Sequence, residues 1–342
     1  MPRMTEGLPE LLAPAGSPDA LAAAIEGGAD AVYFGAVRFS ARMRAKNFSE
    51  EELASSIAAC RAYGVKTYIT VNTRLRDAEL PEMLETVALL NEAGADALIM
   101  ADLGAAALVR ARFPDLPLHA STQLSGCSSE DAREFARLGF SRMVCPREFT
   151  LKQLAALCGS SPLEIEMFIH GAHCVSYSGQ CLLSYAMGGR SGNRGECAQP
   201  CRLPYRVRAA SGASASEYPL SLKDMCLAAH IREIILSGVA SLKIEGRQKS
   251  PDYVYGVTKM YRTLIDGRRD ATADEIASLA ALLSRDGFSD GYFRGNYAGM
   301  LGVRRADDAE ASRTAPAFSA LTKKVPVDAV LEMRRGAPAR LT

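Results

Sequence analysis

Eight short runs rich in apolar and β-branched residues recur through the first two-thirds of the chain, separated by segments with helical periodicity. The strand-like runs are Leu11 to Pro14, Ala31 to Gly35, Lys66 to Asn72, Ala97 to Ala101, Leu116 to Ser121, Arg142 to Pro146, Glu164 to His170 and Ser241 to Glu245. Between them, Pro18 to Gly27, Ser49 to Tyr63, Leu80 to Ala93, Asp102 to Arg112, Ser129 to Leu138, Thr150 to Cys158 and Asp224 to Ser237 carry apolar residues at i, i+3 and i+4. Parallel strands need a crossover, usually a helix, between one strand and the next. Eight such units therefore predict an α/β fold, a (β/α)8 TIM-type barrel, which at roughly 250 residues uses most of the chain. Ser49 with Glu52, and Ser128 with Asp131, read as helix N-caps, and Gly64, Gly94, Gly139 and Gly238 as the left-handed residues that end helices.

The rhythm breaks once. Residues 171–217 form an insertion after strand seven that carries Cys174, Cys181, Cys197 and Cys201, a Gly-Ser-Asn tract, and a predicted hairpin of Leu203 to Arg208 against Tyr218 to Leu222. Loops that follow barrel strands lie on the C-terminal face, where the active sites of such barrels are built. The expected organisation is a barrel over 9–268 including this Cys-rich insertion, then a helical and Gly/Tyr-rich extension over 269–324. Helices are expected at Pro251 to Ile265 and Ala273 to Leu283. Residues 325–342 read as a strand, a turn and the first residues of a return strand. A lone hairpin is marginal in water, so this stretch is expected to begin an incomplete β-rich domain.

Of the 342 residues, 48% are hydrophobic and 23% charged, which excludes disordered and fibrous classes. Forty Lys and Arg against 39 Asp and Glu leave a formal charge of +1, so an RNA partner would have to be held by a local patch. The best apolar run, Ala97 to Val109, is interrupted by Asp102 and is too short for a membrane span. Met1 to Glu10 lacks the basic start and apolar stretch of a secretory signal. The expected location is cytoplasmic, with no membrane partner. In such a reducing compartment nine cysteines point to metal ligation, catalysis or core packing rather than disulfides.

Cys174, Cys181, Cys197 and Cys226 all border the insertion, with 6, 15 and 28 residues between them. That spacing lacks the paired knuckles of structural zinc, although Cys197 and Cys201, three residues apart, suit a zinc hairpin. Zinc, an iron–sulfur cluster and unrelated free thiols all remain open on spacing. Cys60 and Cys158 read as core residues. At the strand ends, Asn72, His119, Gln123, Arg147, Glu148, His170, Glu245 and Arg247 converge on one mouth if the barrel closes. There Arg147 and Arg247 are candidates to clamp a carboxylate, and Asn72 and Gln123 to hydrogen-bond a base. Each of these residues also has an ordinary structural role open to it. The insertion adds a local basic excess, including Arg190 and Arg194, with Tyr177, Tyr185 and Tyr205 interleaved as stacking platforms. No phosphate-binding loop, dinucleotide fingerprint, zinc-protease motif, hydrolase elbow or radical-enzyme cysteine motif is present.

The segments Glu10-Leu11-Leu12-Ala13-Pro14-Ala15-Gly16, Tyr33-Phe34-Gly35, Ala45-Lys46-Asn47-Phe48, Glu166-Met167-Phe168-Ile169-His170-Gly171-Ala172-His173-Cys174, Ser178-Gly179-Gln180-Cys181 and Leu242-Lys243-Ile244-Glu245-Gly246-Arg247 closely resemble the collagenase-like peptidase U32 family. The resemblance runs from about Glu10 to Ile265, and Gly287 to Phe293 is similar to the longer members. It implies a barrel protein with a 4Fe-4S cluster on Cys174, Cys181, Cys197 and Cys226. Some members use a set that would include Cys201. It further implies oxygen-independent hydroxylation of a ribosomal or transfer RNA base, linked to prephenate as hydroxyl donor and, in the long members, converting a ribosomal RNA cytidine to 5-hydroxycytidine. The peptidase activity of the family name is the alternative. The electron-transfer partner is left unassigned.

Overall fold

The computed structural model describes residues 7–42, 47–205, 218–282, 287–302, 331–332 and 340–341. Seven parallel strands run in chain order around the molecule: β1 (Glu10–Pro14), β2 (Ala31–Gly35), β3 (Lys66–Val71), β4 (Ala97–Met100), β5 (Leu118–Ala120), β6 (Phe140–Val144) and β7 (Glu164–Gly171). After a short β8 (Asp224–Cys226), β9 (Ser241–Ile244) pairs in parallel with both β7 and β1 and closes the barrel as its eighth strand. The expected (β/α)8 architecture is present.

Helices cover the outside: α1 (Pro18–Gly27), α2 (Glu50–Ala62), α3 (Leu80–Ala93), α4 (Leu103–Arg112), α5 (Ser129–Arg137), α6 (Leu151–Ser160), a short α7 (Leu183–Gly188) in the insertion, α8 (Ile231–Leu236), α9 (Pro251–Asp266) and α10 (Ala273–Leu282). Capping boxes start α2 at Ser49 with Glu52 and α5 at Ser128 with Asp131. The large apolar core lies between strands and helices, and a small one, including Leu12, Tyr33, Tyr68 and Ile99, fills the barrel. No helix among the described residues is long and apolar enough to cross a membrane.

One expectation is corrected. The helix expected over Asp224 to Ser237 begins only at Ile231. Asp224–Cys226 is instead the strand β8, antiparallel to the end of β7 and parallel to β10 (Phe288–Ser289). These residues are buried between two strands, so a ladder satisfies their backbone where a helix turn would not fit. Of the hairpin expected of Leu203 to Arg208 against Tyr218 to Leu222, residues 206–208 lie outside those described; Tyr218 to Leu220 form a turn and Leu222 bridges to Leu301, so the expected second strand is not there. Most of the stretch after 302 also lies outside the described residues. At the end of the chain, β11 (Leu331–Glu332) pairs antiparallel with β12 (Arg340–Leu341). Before them, α11 (Gly291–Arg294) follows β10, and Leu301 at the end of the Gly/Tyr-rich tract bridges antiparallel to Leu222, just before β8.

Candidate active site at the barrel mouth

Successive strand residues face opposite sides, so Lys243, Glu245 and Arg247, two apart on and just after β9, turn together into the barrel. All three line a partly open pocket of about 40 Å³ with Tyr33, Arg42, Thr70, Asn72, Ser121, Gln123, Arg147 and Phe168. Three arginines and a lysine thus surround one glutamate. Glu245 accepts from Arg147 (2.8 Å) and Arg42 (3.3 Å). Burial alone would push its carboxyl up, but Arg42, Arg147, Arg247 and Lys243 together hold it down at about 2. Arg247 donates to Ser40 Oγ (2.7 Å) and Thr70 Oγ1 (2.8 Å), and its burial lowers it to about 10. Gly35 makes room for this arrangement, because a Cβ there would collide with the Ser40 and Thr70 hydroxyls.

Two rings organise the cations. Arg147 stacks 3.8 Å from the centre of Phe168, and Lys243 lies 5.5 Å from the same ring. Lys243 is also 4.1 Å from the centre of Tyr33, which Arg247 approaches to 5.8 Å. Below the mouth an ion network, buried except at Glu164, fills the barrel floor. Arg142 bridges Glu10 (2.7 Å), Glu164 (2.8 Å) and Glu166 (3.3 Å), and Lys243 donates to Glu166 (2.9 Å).

The structure brings together Asn72, Gln123, Arg147, Glu245 and Arg247 among the residues singled out from sequence. Asn72 accepts from the Ala41 N–H (2.9 Å) and so fixes the loop that carries Arg42. Other candidates sit elsewhere. His119 lies within the barrel with its ring 4.7 Å from Tyr68, and burial drives it well below its ordinary value. His170 is fully buried outside the barrel wall against Tyr253, Tyr261 and Phe288, its Nδ1 3.3 Å from the Tyr261 hydroxyl. A register shift between Phe168 and His170 re-aims it from the interior. Glu148 accepts from the Ser178 N–H (2.9 Å) and hydroxyl (3.1 Å), which ties the insertion to the barrel. Arg194 makes a forked pair with Glu79 (2.6 and 3.0 Å), and Arg190 is half-buried in the insertion beyond α7. Sequence reasoning missed Arg42, Tyr33, Ser40, Thr70 and Lys243, although the period-two run from Lys243 to Arg247 was a signal for the last of these.

All nine cysteines are free. Burial pushes the Cys201 thiol up, and the neighbouring Cys174, Cys197 and Cys181 add to that shift. Cys226 is buried on β8 with its sulfur 3.8 Å from the Tyr261 hydroxyl. Unpaired thiols with mutual electrostatic influence suit a thiolate-ligated iron–sulfur group in kind. Among the described residues, however, no three His, Cys, Asp or Glu side chains converge to hold a metal ion.

The sequence profile described as Peptidase family U32 matches residues 16–300. Over 259 residues the chain is 42% identical to the 23S rRNA 5-hydroxycytidine synthase of Escherichia coli strain K12, which covers 75% of this chain and 39% of that protein. It is 37% identical over 312 residues to the collagenase of Porphyromonas gingivalis, covering 85% of this chain and 74% of the relative. It is 36% identical over 266 residues to tRNA hydroxylation protein P1 of Bacillus subtilis strain 168, covering 75% of this chain and 63% of the relative. The chain therefore spans well under half of the first relative's length.

Proposed function

The chain belongs to peptidase family U32, and from that premise we propose that it hydroxylates a ribosomal or transfer RNA base without molecular oxygen. The reading is carried by the 42% identity, over three-quarters of this chain, to a relative named for making 5-hydroxycytidine. The mouth supports it chemically. A pocket with four cationic side chains and one carboxylate holds anionic groups, and planar guanidinium groups pair with carboxylates by two parallel hydrogen bonds. Prephenate, a dicarboxylate, is the proposed hydroxyl donor, with Arg147 and Arg247 receiving its carboxylates. Asn72 and Gln123 at the rim offer hydrogen bonds to a base edge.

A 4Fe-4S cluster is proposed on Cys174, Cys181, Cys197 and Cys226, where it would supply electron transfer. Cys201 lies closer in electrostatic influence to the first three than Cys226 does, so variants at both positions belong in the test. Protein purified without oxygen is expected to hold about four iron and four sulfide per chain. Cys181→Ala is expected to lose them, and comparison of Cys201→Ala with Cys226→Ala assigns the fourth ligand. Zinc alone, or no metal, would sink the cluster.

A collagenase-like peptidase is the second reading, favoured by the name of the Porphyromonas relative. A thiol peptidase would need Cys174 paired with His170 or His173. Here His170 Nδ1 is engaged by Tyr261, and the His173 ring packs against Tyr292 with no hydrogen bond to Cys174 among the described residues. Gelatin cleavage that disappears in Cys174→Ala would restore this reading.

A further inference from the structure

Lys243 stands out among the buried groups to which the proposed function gives no role of their own. The residue is 4% exposed, yet it lines the mouth, where ligands enter. It shares the Tyr33 ring with Arg247 and the Phe168 ring with Arg147, so a cation flanks it on each side across an apolar surface. Its counterion, Glu166, is fully buried, 2.9 Å away, and divided between Lys243 and Arg142. Desolvation and neighbouring cations are the two conditions that make a lysine amine nucleophilic near neutral pH. Here burial lowers Lys243 even though the ion pair with Glu166 works against it.

We infer that Lys243 is a nucleophilic amine and that the mouth takes a 2-oxo acid, held as an imine on Lys243 with its carboxylate on Arg147 or Arg247. The inference rests on the reading of the mouth as a carboxylate site. An amine bonds to a ketone carbon, and guanidinium groups beside it select ketones that carry an adjacent carboxylate. The ammonium first passes a proton to Glu166. The neutral amine then adds to the carbonyl carbon, and a C–N bond forms as the C–O double bond opens. Glu166 returns its proton, and the former carbonyl oxygen, having gained two protons from the nitrogen, leaves as water. Ammonium plus ketone has become iminium plus water. The positive charge stays opposite Glu166, and no oxidant or reductant is consumed.

The test uses the full chain with pyruvate as probe and borohydride to reduce any imine to a stable amine. Peptide mapping of the unmutated protein is expected to find the reduced adduct on the peptide carrying Lys243, at a level at least tenfold above that on exposed Lys66. Lys243→Arg keeps a cation opposite Glu166 but cannot form the imine, and is expected to bind pyruvate in calorimetry without trapping it. Pyruvate binding to the unmutated chain with no adduct would overturn the imine and leave the carboxylate site standing. Absence of both binding and adduct would remove both. An adduct spread evenly over exposed lysines would also overturn the assignment.

Discussion

Glu245 sets the electrostatics of the mouth. Its carboxylate holds Arg42 and Arg147, and the surrounding cations lower it from 4.5 to about 2. A depressed carboxyl contributes stability above its unfolded value and loses it as pH falls, so this contribution should fade between about pH 4.5 and 2 and amount to at most about 3 kcal/mol. Urea midpoints across that window should fall less steeply in Glu245→Gln than in the unmutated chain, and equal slopes would contradict the assignment. Legibility at this scale followed position along the strands. Glu245, Arg247 and His170 were assigned to the mouth because they stand at or just after strand ends, and period two then places Lys243, Glu245 and Arg247 on one side. The register shift after Phe168 turned His170 out. Arg42 was not legible, because it comes from the loop after β2, with no periodicity, and is aimed by Asn72 through Ala41.

Among the elements, the strands and helices of the barrel could be read because apolar period agreed with a capping side chain or a glycine stop at most boundaries. β8 could not, since three residues that pair with the ends of two distant strands leave no local pattern. Among the described residues the insertion is tied to the barrel by Glu148 with Ser178, Gln180 with Ser125, and Arg194 with Glu79 and the Arg74 carbonyl. Because the Arg194–Glu79 pair is partly exposed, Arg194→Ala should cost only about 1 kcal/mol or less of global stability. It should nevertheless speed protease cleavage between α7 and Leu203, which limited proteolysis with mass mapping would detect. The capping box of α2 offers a contrast on a rigid element. Ser49→Ala should cost about 1 kcal/mol in thermal unfolding and leave ligand binding at the mouth unchanged.

Over the whole molecule, charge is sorted by depth. The floor sets Arg142, Lys66 and Lys243 against Glu10, Glu164 and Glu166, and the mouth is left with an excess of cations around Glu245. Exposed Tyr177 and Tyr185 lie in the insertion and Tyr297 in the Gly/Tyr-rich tract, and the two segments meet where the His173 ring packs against Tyr292. On this account RNA affinity should weaken with salt through the cations, while Tyr185→Ala should lower affinity about tenfold without altering the salt slope. Fluorescence anisotropy with a labelled single-stranded oligonucleotide would measure both. The chain's near-neutral net charge concealed this sorting, which only the closed barrel creates.

The most direct test of the central claim is mass spectrometry of ribosomal and transfer RNA from cells that lack the protein, supplied with either the unmutated protein or its Arg147→Ala variant. The account predicts that one base hydroxylation disappears with the protein, returns with the unmutated form, and stays at least tenfold lower with the variant. RNA base hydroxylation that is unchanged by loss of the protein would contradict it.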